Sequence, residues 1–328
     1  MTALHLASRV GGLILLIALP RTASSSPCDP AGSISTCVDA EGLQLPGGDS
    51  SFVGLPEARA PRSGRVVVGV ATTYAYRPLV LNVASPDPEG RDIELVKDLA
   101  TTSLAWSYAP RDWLEALLVL PFTPYQRGSG PNALASQTGT ALPRTAVRDP
   151  RLGAAFALPS PLPELDARAL VELALPLGDP DRFARSPSAT FSPGLALGSR
   201  QGRLELGSFL GLRLREAARL ESARVGSELV GMVGVAAQVL EREQLSVALE
   251  AHLRSTLLTQ PGGATLAPAE WLLSVRSVPS AHERLVLQLG GGTALPLSSG
   301  ERDGETTHFA GATAPALRGV LGVRYVAD

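Results

Sequence analysis

Alternation of leucine with polar residues, sustained from about residue 65 to the C-terminus, constrains this chain more than any other feature. Leu245, Val247, Leu249, Ala251 and Leu253 fall on one parity, and Ser246, Ala248, Glu250, His252 and Arg254 on the other. That period sorts residues onto the two faces of a strand, and a helix cannot sort them so. The same split places Leu204, Leu206, Leu210, Leu212 and Leu214 against Arg203, Glu205, Gly207, Gly211, Arg213 and Arg215. It returns with Leu317, Leu321, Val323 and Tyr325 against Arg318, Gly322 and Arg324. Alternating segments of roughly ten residues between turns predict transmembrane β-strands, which need about 9–11 residues to cross a bilayer.

Composition narrows the choice further. The 328 residues are 45% hydrophobic and only 18% charged, apolar for a soluble protein. No run inside the body approaches the roughly 18 consecutive apolar residues of a spanning helix, so any crossing is made by strands. A net charge of −2 gives no electrostatic support for a nucleic-acid partner. The fold predicted is all-β: one antiparallel up-and-down transmembrane barrel.

The N-terminus carries an export signal. Arg9 precedes the apolar stretch Val10 to Leu19, and Pro20, Thr22, Ala23 and Ser24 to Ser26 supply a small-residue cleavage region. Residues 1–25 therefore read as a signal peptide, and outer-membrane localisation follows for a barrel exported this way. Cys28 lacks the leucine and small residue of a lipobox before it. Cys28 and Cys37 are the only cysteines; an oxidising compartment allows them to form a disulfide, and two unpaired thiols are the alternative. Residues 26–64 are rich in Gly, Pro, Ser and acidic residues and show no period. They read as a periplasmic leader that either hangs free or partly plugs the barrel of residues 65–328.

About twelve strands can be placed, centred near Val68, Thr102, Leu118, Phe156, Leu173, Leu195, Leu210, Val233, Leu249, Val275, Leu287 and Leu321. Long connections, Thr123 to Asp149 and Glu216 to Gly226 among them, alternate with short turns such as Ala109 to Asp112 and Ser199 to Gly202. Outer-membrane barrels have short periplasmic turns and longer outer loops, so both termini are expected in the periplasm. Trp106, Tyr108, Trp113 and Tyr325 would form a belt at the periplasmic ends. Tyr74, Tyr76, Phe122, Phe191 and Trp271 would form one at the outer ends. Phe156 and Phe209 fall mid-strand and join neither. Three places fit poorly. Asp98 shares the lipid parity, which predicts a strand starting after it; Pro193 predicts a bulge or late start; and Leu152 to Leu158 has small residues on both faces, leaving its orientation open.

The signal, the Ser51-Phe52 leader, the strand pattern and the block Arg144 to Gly153 resemble the barrel part of OmpA-family proteins and the MetA-pathway (phenol-degradation) outer-membrane transporters. This resemblance spans most of the mature chain and is one of pattern. It implies an outer-membrane barrel that passes small solutes. It does not extend to the peptidoglycan-binding domain of complete OmpA-family proteins. The closing strand also departs from the type, because Val326, Ala327 and Asp328 follow Tyr325 where a terminal aromatic is expected.

The polar parity yields lumen-lining candidates: Glu115, Arg168, Glu172, Arg203, Glu205, Arg213, Arg215, Glu250, His252, Arg254, Arg276, Gln288, Arg318 and Arg324. Arginines outnumber carboxylates among them. One reading is a pore lining that favours anionic or polar solutes, since rings of charge set selectivity; the other is that Arg and Glu pair across the lumen and fill it. The functional expectation is a passive channel or transporter for small solutes, hydrophobic or anionic, with a closed barrel serving as anchor or scaffold as the alternative. A lipid hydrolase is the lesser alternative: it needs a serine beside a histidine, and of His252, His282 and His308 only His252 falls within a strand. No catalytic, cofactor or metal site is expected, and Asp87, Glu89 and Asp92 lack the spacing of a calcium loop. A soluble secreted β-protein shares the alternation, but not the long-short loops or the aromatic strand ends. The partners expected are membrane lipid, lipopolysaccharide and the outer-membrane assembly machinery.

Overall fold

The computed structural model describes residues 35–83, 91–130, 142–160, 162, 164–220, 223–240, 244–257, 267–279, 284–295 and 314–327. The segment expected to be a signal peptide, and Cys28, Asp87, Glu89, His282 and His308, lie outside them. The strands are β1 (Val66–Val83), β2 (Arg91–Arg111), β3 (Leu114–Arg127), β4 (Ala146–Val147), β5 (Arg151–Leu158), β6 (Asp166–Ala174), β7 (Thr190–Gln201), β8 (Leu204–Arg213), β9 (Ala218–Leu220), β10 (Ala223–Val225), β11 (Glu228–Gln238), β12 (Leu245–Thr256), β13 (Ala269–Ser277), β14 (Leu285–Ala294) and β15 (Leu317–Ala327).

All but β4, β9 and β10 belong to one closed antiparallel wall of twelve strands. Each wall strand pairs with its neighbours in sequence, and β15 closes the ring on β1, from Val66↔Ala327 to Tyr76↔Leu317. Closure leaves no open edge, so the ladder satisfies the backbone where lipid offers no hydrogen bonds. Each of the twelve expected centres lies in a different wall strand.

The parity of the sequence is the inside-outside division of the wall. Leu206, Leu249, Leu273, Leu289 and Leu321 point outward, with Leu249 47% exposed, while Glu205, Glu250, Ser274, Gln288 and Arg318 are buried inside. A soluble barrel would carry the opposite arrangement. An outer leucine surface of this extent is an apolar band that only lipid can cover.

Several of the sequence expectations change. Strand β2 does not start after Asp98: it begins at Arg91 and runs 21 residues. Asp98 stays buried on the outward parity because the Tyr74 hydroxyl donates to it at 2.6 Å, while Arg127 donates through Nε at 2.9 Å and approaches with Nη2 at 2.7 Å. The carboxylate's charge is thus answered by partners from both neighbouring strands. Register shifts after Tyr76 then re-aim the outer halves of β1 and β2, as bulges do. Their Leu79, Leu81, Ile93 and Leu95 fold over the mouth onto Val38, Phe183, Leu142 and Val225.

Pro193 causes neither a bulge nor a late start. The β7–β8 ladder is interrupted there, between the Phe191↔Leu214 bridge and Gly194↔Gly211, and resumes in the same register. In β5, Leu152 and Leu158 face out and Arg151 and Ala155 face in, which fixes that strand's orientation. Phe156 does join the short-turn belt: its ring lies 6.5 Å from that of Trp113. Trp106 and Tyr108 stack beside them at 6.3 Å. The segment from Thr123 to Asp149 is also less loop-like than expected, since β3 continues to Arg127 and Ala146–Val147 pairs back onto it.

Orientation can be read by labelling. Leu177, in the long β6–β7 connection, is 67% exposed, and Leu162, in the short β5–β6 turn, is 59% exposed. A Leu177→Cys variant is expected to react nearly completely with an impermeant maleimide on intact cells, and Leu162→Cys only after permeabilisation. The reverse pattern would place the long connections in the periplasm.

Candidate functional site

The lumen is occupied by the chain's own residues 35–64. This leader touches inward-facing groups from opposite sides of the wall, among them Glu115 of β3, Arg151 of β5, Arg168 of β6, Glu205 of β8, Glu250 of β12 and Arg324 of β15. No surface location could reach all of these. Its first described residues lie at the long-connection end, where Ala40 N donates to Phe183 O at 3.0 Å. Its last, Gly64, donates to Ala109 O at the short-turn end. Cys37 is fully buried and disulfide-bonded.

One carboxylate holds the middle of the leader. Three successive backbone amides, those of Val53, Gly54 and Leu55, donate to Glu250 at 2.5, 3.0 and 3.1 Å. His252 Nε2 lies 3.1 Å from the same carboxylate. Hydrogen bonds to an ionised group are the strong kind, and Glu250 is almost wholly buried. Beside it Phe52 packs with Leu55, Ala236 and Ala248 against Phe209 and Met232. A Cβ on Gly207 or Gly234 would come within 2.9 or 2.7 Å of the Phe52 ring, so these two inward glycines make the space it fills.

The predicted lumen residues are placed inside the wall with the exception of Arg203, which is exposed in the β7–β8 turn at the barrel's end. That turn takes only Gly202, at φ +60°, and Arg203, so the alternation had been carried one residue too far. The remainder gather into ion pairs. Arg168 meets Glu115 at 2.5 Å and Arg151 meets Glu172 at 3.2 Å. Glu205 is paired with Arg200 and accepts from Ser51 of the leader. Arg213 at 3.3 Å, Arg215 at 3.1 Å and Arg254 at 3.9 Å surround Glu228. Arg318 is held between Glu270, at 2.8 Å, and Glu41 of the leader. Arg276 and Arg324 both face Asp49 of the leader, and Gln288 accepts from Arg324 at 2.9 Å.

Sequence reasoning missed Glu228, Glu270 and Arg151, and with them the leader acids Asp39, Glu41 and Asp49. Glu270 shares the parity of Arg276, which was signal enough to include it. The leader acids had no period to reveal them. Burial would raise the Asp49 carboxyl, but Arg276, Arg324 and Arg65 outweigh it and hold the group below the usual carboxylate range. Burial, and then the charge of Glu205, push Glu57 up to about 7. The leader's docking therefore includes a contribution that is full below the ordinary pKa of Glu57 and is lost as pH rises through about 7.

Between leader and wall remains a cavity of about 100 Å³. Leu117, Leu170, Phe209 and Met232 give it an apolar side, and Glu115, Arg168, Arg151 and Arg213 a charged one.

No protein-family model and no curated protein sequence matches this chain. Among solved structures, an outer-membrane channel from Pseudomonas putida F1 superimposes with a TM-score of 0.59 at 15% identity, over 84% of this chain and 100% of that one. The fold is that of an outer-membrane barrel. A NanC porin (TM-score 0.47, 8% identity, 79% and 98% covered) and a FadL homologue from Pseudomonas aeruginosa (0.40, 9%, 87% and 95%) are more distant.

Proposed function

We propose that this protein is a passive outer-membrane channel for small solutes, with an arginine-biased lumen in which the N-terminal leader sits as a removable plug. The observation that carries this reading is that the wall is complete without the leader. Every wall strand pairs with two wall neighbours, and residues 35–64 contribute no strand to the ladder. The leader can leave without breaking any rung of the wall's ladder. Once it leaves, Arg276, Arg318 and Arg324 lose the carboxylates of Asp49 and Glu41, and the lining becomes more positive.

The likeness to the Pseudomonas putida channel supports this reading, and so does the resemblance to phenol-degradation transporters. The apolar side of the cavity extends it to small hydrophobic solutes. A closed scaffold is the second reading, favoured by the apolar cluster that joins Leu79, Leu95 and Phe183 over the mouth. Planar-bilayer recording of the full-length barrel separates them. Current steps with anion preference are expected, and Arg254→Glu should weaken that preference because the lining then gains an acid beside Glu228. A correctly folded barrel that does not conduct with its leader docked or displaced, and admits no small solute into liposomes, leaves only the scaffold.

A further inference from the structure

Asp49 faces two guanidinium groups of the wall, Arg276 and Arg324, that together carry more charge than its one carboxylate. Arg65 approaches it at 2.8 Å, Arg276 at 3.5 Å and Arg324 at 3.8 Å. These come from the start of β1, from β13 and from β15, so the wall itself, closed by its ladder, gathers them. Of the other acids, Glu250 reaches Arg324 electrostatically, but its carboxylate is engaged by three leader amides and His252. Donors are also left over. Arg276 Nε and Gln288 Nε2 are buried here without a hydrogen-bond partner, an arrangement that is costly unless something accepts from them. The place is reachable, since the side chains of Asp49 and Arg65 keep 16% and 27% exposure at the short-turn end of the lumen.

A single carboxylate brings one charge and two oxygens to the guanidinium groups of Arg276 and Arg324 and the Gln288 amide. A tetrahedral dianion brings a second charge and more acceptor oxygens, in the geometry guanidinium forks match best. We propose that Arg65, Arg276, Arg324 and Gln288 form a binding site for a phosphate-type dianion, either the free ion or the phosphate of a small monoester, for which Asp49 is the built-in stand-in. Entry of the dianion displaces Asp49 and loosens the leader. The consequence for conduction rests on the channel reading; the binding does not.

The test uses the full-length barrel in detergent, its folding checked by heat-modifiable mobility. Binding of inorganic phosphate and of glycerol phosphate is followed by calorimetry, and release of the leader by chymotryptic cleavage after Phe52, which is buried while the leader is docked. Saturable binding is expected, with faster cleavage as the site fills, and chloride at equal ionic strength should produce neither. Asp49→Asn removes the internal competitor and should tighten binding about tenfold, because the competent fraction rises. Arg276→Gln with Arg324→Gln should abolish it; if that pair fails to fold, Gln288→Leu should weaken it. Binding of both probes means that the phosphate group alone is read, and binding of inorganic phosphate only means the free ion. Absence of saturable binding to folded Asp49→Asn, or undiminished binding to the arginine variants, overturns the proposal. A barrel that binds phosphate yet never conducts keeps this site and loses the channel reading, whereas one that conducts without binding does the reverse.

Discussion

Glu250→Ala is expected to turn the occupied lumen into an open one. The substitution removes the acceptor of three consecutive leader amides and the partner of His252 in one step. Breaking a buried charged contact by removing one side typically costs about 3–5 kcal/mol. That corresponds to a shift of roughly two to three and a half powers of ten between docked and released leader. Because the leader contributes no rung to the wall, the loss falls on docking and not on the barrel. Expected together are a large rise in single-channel conductance, rapid chymotryptic cleavage after the now released Phe52, and an unchanged yield of folded barrel. Glu250→Gln should lie between wild type and Glu250→Ala, since an amide oxygen still accepts without the charge. Unchanged conductance and protease resistance in folded Glu250→Ala would show that Glu250 does not hold the leader.

The barrel was legible because its sequence signal and its physics share one period. A strand in lipid must present Leu249 and Leu253 to hydrocarbon and Glu250 and His252 inward, and two-residue alternation records that directly. The signal failed where something other than alternation decides the outcome. Asp98 is tolerated on the outward parity through Tyr74 and Arg127, which arrive from β1 and β3 and are not its neighbours in sequence. Pro193 is absorbed by a local gap in a ladder whose register is fixed on both sides.

The site was legible by half. The wall's lumen residues follow the same parity, so most could be named; their partners could not. Glu41 meets Arg318 across 277 residues of sequence, and Asp49 meets Arg276 across 227. Pairings of that kind are set by where an aperiodic segment lies inside a closed wall. Composition shows that the leader is acidic and glycine-rich but carries no coordinate along the barrel axis. The arginine excess on the wall was therefore visible as an imbalance, and the acids that answer it in the closed state were not.

Leu249→Arg is expected to abolish assembly of the barrel, while Glu250→Arg, one residue away, should preserve assembly and disturb only the leader. Leu249 is 47% exposed on the outer face of β12, between Val235 of β11 and Leu273 of β13 in the ladder. An arginine near the bilayer midplane costs about 2–4 kcal/mol, a large share of the roughly 5–15 kcal/mol by which a folded protein is stable. Glu250 lies on the inner face of the same strand, where arginine meets His252 and a polar lumen. Its cost falls on the docking of Val53 to Leu55, so Glu250→Arg should resemble Glu250→Ala in conductance. Heat-modifiable mobility in outer-membrane fractions checks the pair: little or no folded Leu249→Arg, and Glu250→Arg near wild type. Equal yields of the two would mean that the leucine face does not meet lipid, and the assignment of inside and outside would fall with it.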